Sequence, residues 1–595
     1  MMSTTHPIQK TLSHTNPPTE RTRVPLLSSL GQKSCRTVRA QMQMPLFDNS
    51  AMDGYALCSS QTISASPANP LTFRVLGIIA AGDPPPTVSV TEGGSEFICW
   101  AIMTGAPFPI AVDPKGEAPA SSSAAGLYDA CVKLELVTAH YQPRDSNAAT
   151  TSRSPEVPAH ITVIAPVDSN ANRRLAGEDI KVGAELLNAG EVVRKEHVMV
   201  LASMGVQGVE VEWDGGIWAR QRQILGDGQR RLRIGIINTG KEVVLNARPD
   251  QEAIPAIAST PTSDSLATTN AISSTKQHPL STSHTGAPPD IGDTIEPLTP
   301  PASCMTSRST SVADTTTTRQ PRPYLGASQI WNSNGPYIHA ALLTWGFHPS
   351  DIEVLSVSIA KGQDGDDPEA FQATVRDALS YDKDTDRRPF DVLISTGGVS
   401  TGVHDYVPAS ILALGGDIGF HKLKMRPGGP MMFAHLAHDT SQRDAEAGGS
   451  ATNAKQTRAA YFGLPGNPLA AAVCLRFIVA PALQKMRSVV GEPQTRRANI
   501  RISGGGLEED QRHEDRALIQ KKPPHTRMYV PARLLLSSAT GIAGERETSG
   551  VEALARGSNM TRALLSADSW VCFVEGEGRD KVYKGDEVEV YSLDL

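Results

Sequence analysis

The sequence predicts a multidomain chain of α/β plus β class, and three observations carry that prediction. A short apolar run, Val392-Leu393-Ile394, stops at Thr396-Gly397-Gly398, as a strand buried on both faces does when it delivers a loop to a sheet edge. From Arg233 onward strand-like and helix-like runs alternate, the pattern of a parallel sheet covered by helices. Residues 47–175 and 496–595 instead show short strands separated by Gly, Pro and Ser, which predicts two β-rich domains.

Bulk properties narrow the class. The 595 residues are too many for a single core and imply about three or four domains. Apolar residues make up 39%, low for a wholly packed chain, so part of the length is expected to be disordered. The formal charge of −7, without a basic stripe, argues against nucleic acid as the main partner. Seven cysteines (35, 58, 99, 131, 304, 474 and 572) form no C-x-x-C pair, against a zinc site or disulfide framework and in keeping with a reducing compartment. The start of the chain has no apolar signal core, and no run of about 18 apolar residues occurs. The expectation is a soluble, cytoplasmic protein with no membrane span.

Taken in order, residues 1–22 are polar and proline-containing and predict a disordered tail. Val24 to Met44 is mixed and leaves room for a helix. Residues 44–57 then place Asp48, Asn49, Ser50 and Asp53 beside Gly54 and Tyr55. Such a polar cluster is costly to bury unpaired and suits a surface or a site, although an ordinary Asp-Gly turn also accounts for it. Phe73–Gly82, Phe97–Met103 and Tyr128–Glu135 predict strands; the first runs into Ala-Ala-Gly-Asp and the second into Met-Thr-Gly-Ala-Pro. Residues 113–126 and 142–158 resemble linkers. Glu178 and Asp179 are adjacent carboxylates suited to a hard cation or to a solvated turn. Lys195–Met204 has helical spacing and ends at Gly205. The predicted divisions are a linker domain at 23–46 with 176–230, a β-rich domain at 47–175, an α/β domain at 231–490 and a C-terminal β domain at 496–595.

Within the α/β region Ile234–Ile237 predicts a buried strand ending in Asn238-Thr239-Gly240-Lys241, which lacks the upstream glycine of a P-loop. Residues 249–325 and 437–458 are polar insertions predicted to be disordered. Asn332-Ser333-Asn334 caps a helix with Ile338, Ala341, Leu342 and Trp345 on its apolar face. Ile352–Val357 predicts a strand, and Asp367-Pro368 opens a helix through Leu379. Gly397 and Gly398 free backbone N–H groups for an anion, and Ser400 and Thr401 add hydroxyls, although a plain glycine turn serves equally for this stretch alone. Met425–Pro430 and Phe462–Ala470 add two glycine–proline loops, with Asn467 and Pro468 starting a helix that runs towards Pro481. Trp570–Val574 and Glu587–Tyr591 are late strands.

Six motifs in one order are more specific than any alone. Asp48–Ala56, Met103–Pro107, Gly177–Ile180, Gly397–Asp405, Pro427–Pro430 and Gly463–Pro468 together resemble the signature of molybdopterin molybdenumtransferases, the MoeA and gephyrin E-domain type, from about residue 23 to the end. The resemblance implies a MoaB-like three-layer α/β molybdopterin-binding domain, a β-rich N-terminal lobe and a C-terminal β domain. It implies that adenylylated molybdopterin receives molybdate at its dithiolene sulfurs with release of AMP, assisted by Mg²⁺. By the resemblance Asp53, Thr104, Asp129 and Glu178 line one wall and, with Asp405, are the catalytic candidates; Asp53 and Glu178 are the metal candidates. The other wall offers Asn334, Gly397, Gly398, Ser400, Arg426, Pro427, Gly428, Pro465, Gly466 and Asn467 for the ligand. In the family these walls come from two subunits, so a homodimer is implied, fed by a separate molybdopterin adenylyltransferase.

The chain departs from the pattern at several places. Gly429 and Arg426 stand where lysines are usual, Ala470 where a serine is usual, Lys241 where Asp or Asn is usual, and Ala101 where an arginine is usual. Each lost charge-assisted contact weakens oxyanion binding by about 1.5–3 kcal/mol. Lys422 or Lys424 is placed to compensate, and Met560-Thr561-Arg562 stands loosely where the family has Ser-Ser-Arg. These departures leave open an alternative, a weakened or inactive member acting as a pterin-binding or scaffold protein. An unrelated nucleotide-binding α/β enzyme is disfavoured by Asp48–Ala56 together with Gly463–Pro468.

Overall fold

The computed structural model describes residues 20–89, 97–112, 128–141, 157–213, 231–244, 325–357 except 327, 367–382, 386–400, 405–438, 457–488, 495–501, 526–540, 546–554, 561–573 and 587–593. All of them belong to one compact unit, Met1–Pro249 with Leu325–Leu595. Thr401, Met560 and the polar stretches at 113–126 and 249–324 lie outside the described residues, as do most of 142–158 and 437–458.

The chain folds as a multidomain α/β plus β protein. Its α/β domain is built on a six-stranded sheet in the order Ile352–Leu355, Ile234–Asn238, Val392–Thr396, Arg458–Leu464, Met432–Ala437, Asp417–His421. The first four strands are parallel, Met432–Ala437 runs antiparallel to them, and Asp417–His421, antiparallel to Met432–Ala437, returns to their direction. Val392 to Thr396 is buried at every position, as its apolar run requires for a strand covered on both faces. One face packs Ile234, Ile236, Val392 and Ile394 against the helix Asn334–Thr344. The other packs Ile237, Leu393 and Tyr461 with Phe371 and Val375 of the helix Pro368–Leu379. Register aligns Asn238, Thr396 and Leu464 in one row, so the three following loops emerge together at the C-terminal edge. Open α/β sheets present ligands at that edge.

The β-rich lobe is a mixed six-stranded sheet in which Gly54–Leu57 lies between Ala130–Lys133 and Ile98–Ile102. Alternation divides its residues between two cores: Tyr55, Leu57 and Cys99 face one, Ala56, Ile98 and Ile102 the other. In the C-terminal domain Arg527–Thr540, Arg546–Ala553, Thr495–Arg501, Glu587–Ser592 and Ser569–Phe573 close into a small barrel, because Arg527–Thr540 also pairs with Ser569–Phe573. Closure removes the exposed edges that short strands otherwise leave.

Four expectations are corrected. The stretch read as a tail already contains the strand Glu20–Pro25, which pairs with Gly208–Trp213. Its partner is remote in sequence, so local polarity concealed it. No α-helix forms between Val24 and Met44; a 3₁₀ turn at Leu27–Ser29 and short strands take its place. The helix begun by Asn467 continues past Pro481 to Met486. A π turn at Leu475–Val479 precedes Pro481 and absorbs the backbone disruption a proline causes inside a helix. This helix is apolar and long enough to cross a membrane, but 61% of that window is buried, which makes it a core helix. Finally, the carboxamide of Asn332 accepts from Gly335 N–H at 3.1 Å and caps the Asn334 helix; Ser333 and Asn334 do not.

Candidate functional site

Three loops meet above the aligned strand ends. Gly397 and Gly398 take φ of +92° and +64°, a region glycine enters without strain. A Cβ on Gly397 would lie 2.7 Å from Thr239 Oγ1, so this position also requires glycine for close approach. The Gly397 N–H donates to Leu464 O at 2.9 Å, and Thr239 Oγ1 donates to Thr396 O at 2.8 Å. A Cβ on Gly466 would lie 3.6 Å from Gly397 Cα, so the second and third loops touch. Asn334 joins them, its Nδ2 donating to Gly466 O at 2.8 Å. Asn467 Oδ1 accepts from Ala470 N–H at 3.1 Å and caps the long helix, whose N-terminus favours an anion. The structure thus brings Asn334, Gly397, Gly398, Gly466 and Asn467 together, with Pro465 and Ser400 adjoining them in their loops. Asp405 stands just before the helix Val407–Ala413, whose Val407 N–H donates to Gly398 O at 3.1 Å.

Buried polar atoms beside this cradle lack partners. Asn334 Oδ1 and both polar atoms of the Asn238 carboxamide have none among the described residues. Burying such groups unpaired is costly, and a ligand with donor and acceptor atoms satisfies them. Asn238 ends a strand and was missed in sequence, because nothing local separates a strand-end amide that faces a ligand from one that caps a turn.

Met425–Pro430 is placed differently. Met425–Arg426 pairs with Arg527–Met528, so this segment adds a strand to the C-terminal sheet rather than ending one of the parallel strands. Gly428, at φ +112°, lies against the long helix, where a Cβ would meet Cys474 Sγ at 2.7 Å. A Cβ on Gly429 would approach the carbonyl oxygens of Met425 and Leu423 at 3.3 and 3.5 Å, so its surroundings are tight for any side chain. Lys422, Lys424 and Arg426 are exposed within five residues of one another, Lys422 at a left-handed φ of +74° and Arg426 in the short strand. Pro427 is buried beside them.

On the β-rich lobe Asp53 Oδ1 accepts from both the N–H and the hydroxyl of Thr104, each at 2.8 Å, uniting two candidates that lie far apart in sequence. Asp48 is used otherwise: it binds Arg173 at 2.5 Å and the Ala176 N–H at 2.7 Å. Asp129 accepts from the Ser59 N–H at 2.7 Å, the Ser59 hydroxyl at 2.6 Å and the Ser169 hydroxyl at 2.8 Å. Burial alone would push its carboxyl up, but the Ser59 and Ser169 hydrogen bonds outweigh it and hold the group below the usual carboxylate range. Stability from ionised Asp129 is therefore present above the ordinary value near 3.8 and is lost as pH falls through the lower folded value. Ser59→Ala is expected to move the acid-unfolding midpoint to higher pH and to cost about 1 kcal/mol at neutral pH, a small value because the group is partly exposed. An acid-unfolding profile followed by circular dichroism measures both.

Glu178 and Asp179 do not act as a pair. Glu178 binds Arg174 Nε at 3.1 Å and the Leu175 N–H at 3.0 Å. Asp179 is only 5% exposed and turns the other way, accepting from the Thr561 N–H at 3.0 Å and the Thr561 hydroxyl at 2.8 Å. Thr561 is thereby engaged by a carboxylate within the protein. Among the described residues no group of three His, Cys, Asp or Glu gathers as a metal cage. Glu178, neutralised by Arg174, does not fit a cation ligand. Asp53 fits the single carboxylate that Mg²⁺ takes when phosphate and water fill its other positions.

Two sequence families match the chain. The MoeA N-terminal region (domain I and II) matches residues 2–205, and the probable molybdopterin binding domain matches residues 307–485. The chain belongs to the MoeA-type family. Similar proteins include a molybdopterin molybdenumtransferase of Synechococcus elongatus, 26% identical, with 79% of this chain and 77% of the relative covered. One of Staphylococcus aureus is 23% identical, with 94% and 88% covered. A solved molybdopterin biosynthesis MoeA protein from Pyrococcus horikoshii is 18% identical over 97% of this chain and 95% of that one, with a TM-score of 0.32.

Proposed function

We propose that this chain inserts molybdate into adenylylated molybdopterin, giving molybdenum cofactor and AMP. The observation that carries this is the row of strand ends at Asn238, Thr396 and Leu464, from which Gly397, Gly398 and Gly466 offer backbone to a phosphorylated ligand. The Gly397 N–H is taken by Leu464 O and is not open to an anion as the sequence suggested; the dipole of the Pro468–Met486 helix favours the pyrophosphate side of the substrate. The Asn238 and Asn334 amides supply donors and acceptors for its heterocyclic parts. Lys422, Lys424 and Arg426 supply the cations for molybdate that Gly429 does not.

Mg²⁺ fits this scheme as a neutraliser of charge on the phosphates, with Asp53 as its protein carboxylate. Asp53 and Thr104 then present the β-rich wall to the reacting end of the substrate. A homodimer, a cytoplasmic location and supply of the substrate by a separate molybdopterin adenylyltransferase complete the proposal. The catalytically inactive alternative is not favoured, because the relatives are named as transferases over most of their length.

The test is direct. Purified protein given adenylylated molybdopterin and molybdate is expected to release AMP and yield cofactor that reconstitutes a molybdenum enzyme. Tight binding of the substrate without molybdate-dependent AMP release overturns the catalytic proposal.

A further inference from the structure

His421 belongs to none of the six motifs, yet it touches the glycine cradle directly. The side chain is half-buried, and its Nε2 lies 2.8 Å from Val399 O. A carbonyl oxygen only accepts, so Nε2 carries the hydrogen and the imidazole donates.

The sheet explains how an edge strand reaches that loop. Asp417–His421 runs in the direction of the four parallel strands, so it ends at the same C-terminal edge as they do. There His421, Met432, Gly463 and Ser395 form one row across the sheet. A Cβ on Gly463 would meet Met432 Cγ at 2.7 Å and Val399 Cγ1 at 2.8 Å. Glycine at this position lets both side chains close over the strand, and Val399 is only 1% exposed. With its side chain seated there, Val399 turns its carbonyl to His421. The chain leaving His421 is held as well, because the Lys422 N–H donates to Met431 O at 2.9 Å.

The consequence falls on the next N–H. The Val399–Ser400 peptide is trans, and in a trans peptide C=O and N–H point in opposite directions. Fixing Val399 O toward the edge strand therefore turns the Ser400 N–H away from it. No described residue accepts from the N–H groups of Gly398, Val399 or Ser400, whereas that of Gly397 is taken by Leu464 O. Successive unpaired N–H groups of this kind suit an anion, and His421 fixes the last of the three peptides.

We infer that His421 is a positioning residue, which orients the Val399–Ser400 peptide so that the Ser400 N–H meets the phosphate of the bound substrate. It acts through the loop and touches no reacting atom, so it serves binding and not the chemical step. The inference deepens the proposed function and rests on it for its kinetic arm.

The experiment compares His421→Phe, which keeps a ring and loses the donor, with His421→Gln, whose amide N–H stands near the place of Nε2–H. In the full chain His421→Phe is expected to raise KM for adenylylated molybdopterin about tenfold, the effect of one lost hydrogen bond, with kcat for AMP release within about threefold. His421→Gln is expected to bring KM back to within about threefold of the parent. A purely structural role would not be rescued this way and would lower kcat and melting temperature as well. A parent-like KM in His421→Phe overturns the inference, and so does a glutamine variant no better than the phenylalanine one. His421→Leu takes the place of His421→Phe where circular dichroism shows that the latter does not fold. Hydrogen exchange in peptides covering Gly397–Ser400 needs no activity: it is expected to be faster in His421→Phe and restored in His421→Gln, and unchanged rates overturn the inference. A parent protein that releases no AMP defeats the proposed function, and the exchange rates then decide the role of His421 alone.

Discussion

Asp53→Ala is expected to lower kcat for AMP release by about 10²–10³-fold while leaving KM for adenylylated molybdopterin within about threefold. The split follows from the geometry. The ligand cradle belongs to the α/β domain, whereas Asp53 stands on the β-rich lobe, held through Oδ1 by the Thr104 N–H and hydroxyl. Under the proposed function, removing it takes away charge at the reacting end and not the surface proposed to bind phosphate. Asp53→Asn separates charge from hydrogen bonding, because an amide oxygen still accepts from Thr104. It is expected to fold as the parent does and to be nearly as slow as the alanine variant. Thr104→Val removes one of the two donors and is expected to cost about tenfold, since the backbone N–H still holds the carboxylate. Steady-state AMP release across molybdopterin-adenylate concentrations measures all three. A parent-like kcat in Asp53→Asn would show that charge at this position is not used.

The fold was legible where local pattern and tertiary environment agree. Val392–Leu393–Ile394 is apolar throughout because both faces of its strand are covered, and the glycines after it mark the turn and the close approach to Thr239. The π turn before Pro481 has no such signature, and proline alone suggested an end that the helix passes. Partners remote in sequence were not legible at all. His421 carried no signal because nothing near it announces Val399. Glu178 and Asp179 read as a pair because they are adjacent, yet at a turn adjacent side chains diverge, one to Arg174 and the other to Thr561. The Glu20–Pro25 strand likewise exists through Gly208–Trp213.

Asp179 carries the largest expected effect on stability. It reaches the C-terminal domain through the Thr561 N–H and hydroxyl and, at 3.4 Å, the Arg562 N–H. Asp179→Ala leaves these buried donors unpaired and is expected to destabilise docking of the barrel by about 3 kcal/mol. Docking is not lost altogether, because Arg194 separately donates to Ala567 O at 2.9 Å and Leu565 O at 2.6 Å. Asp179→Asn keeps an acceptor and is expected to cost less, with a dependence on pH that alanine cannot show. Burial raises the Asp179 carboxyl above its ordinary value despite the Thr561 and Arg562 hydrogen bonds. A raised carboxyl contributes stability that is fully present below the ordinary value near 3.8 and is lost as pH rises through the folded value. The stability advantage of the parent over Asp179→Asn should therefore shrink as pH rises through that interval and stay level beyond it. Hydrogen exchange of the Ser569–Phe573 strand reports this locally, without requiring the whole multidomain chain to unfold in one step. An advantage that stays constant across the interval would mean that the burial cost of the carboxylate is fully offset by its three donors.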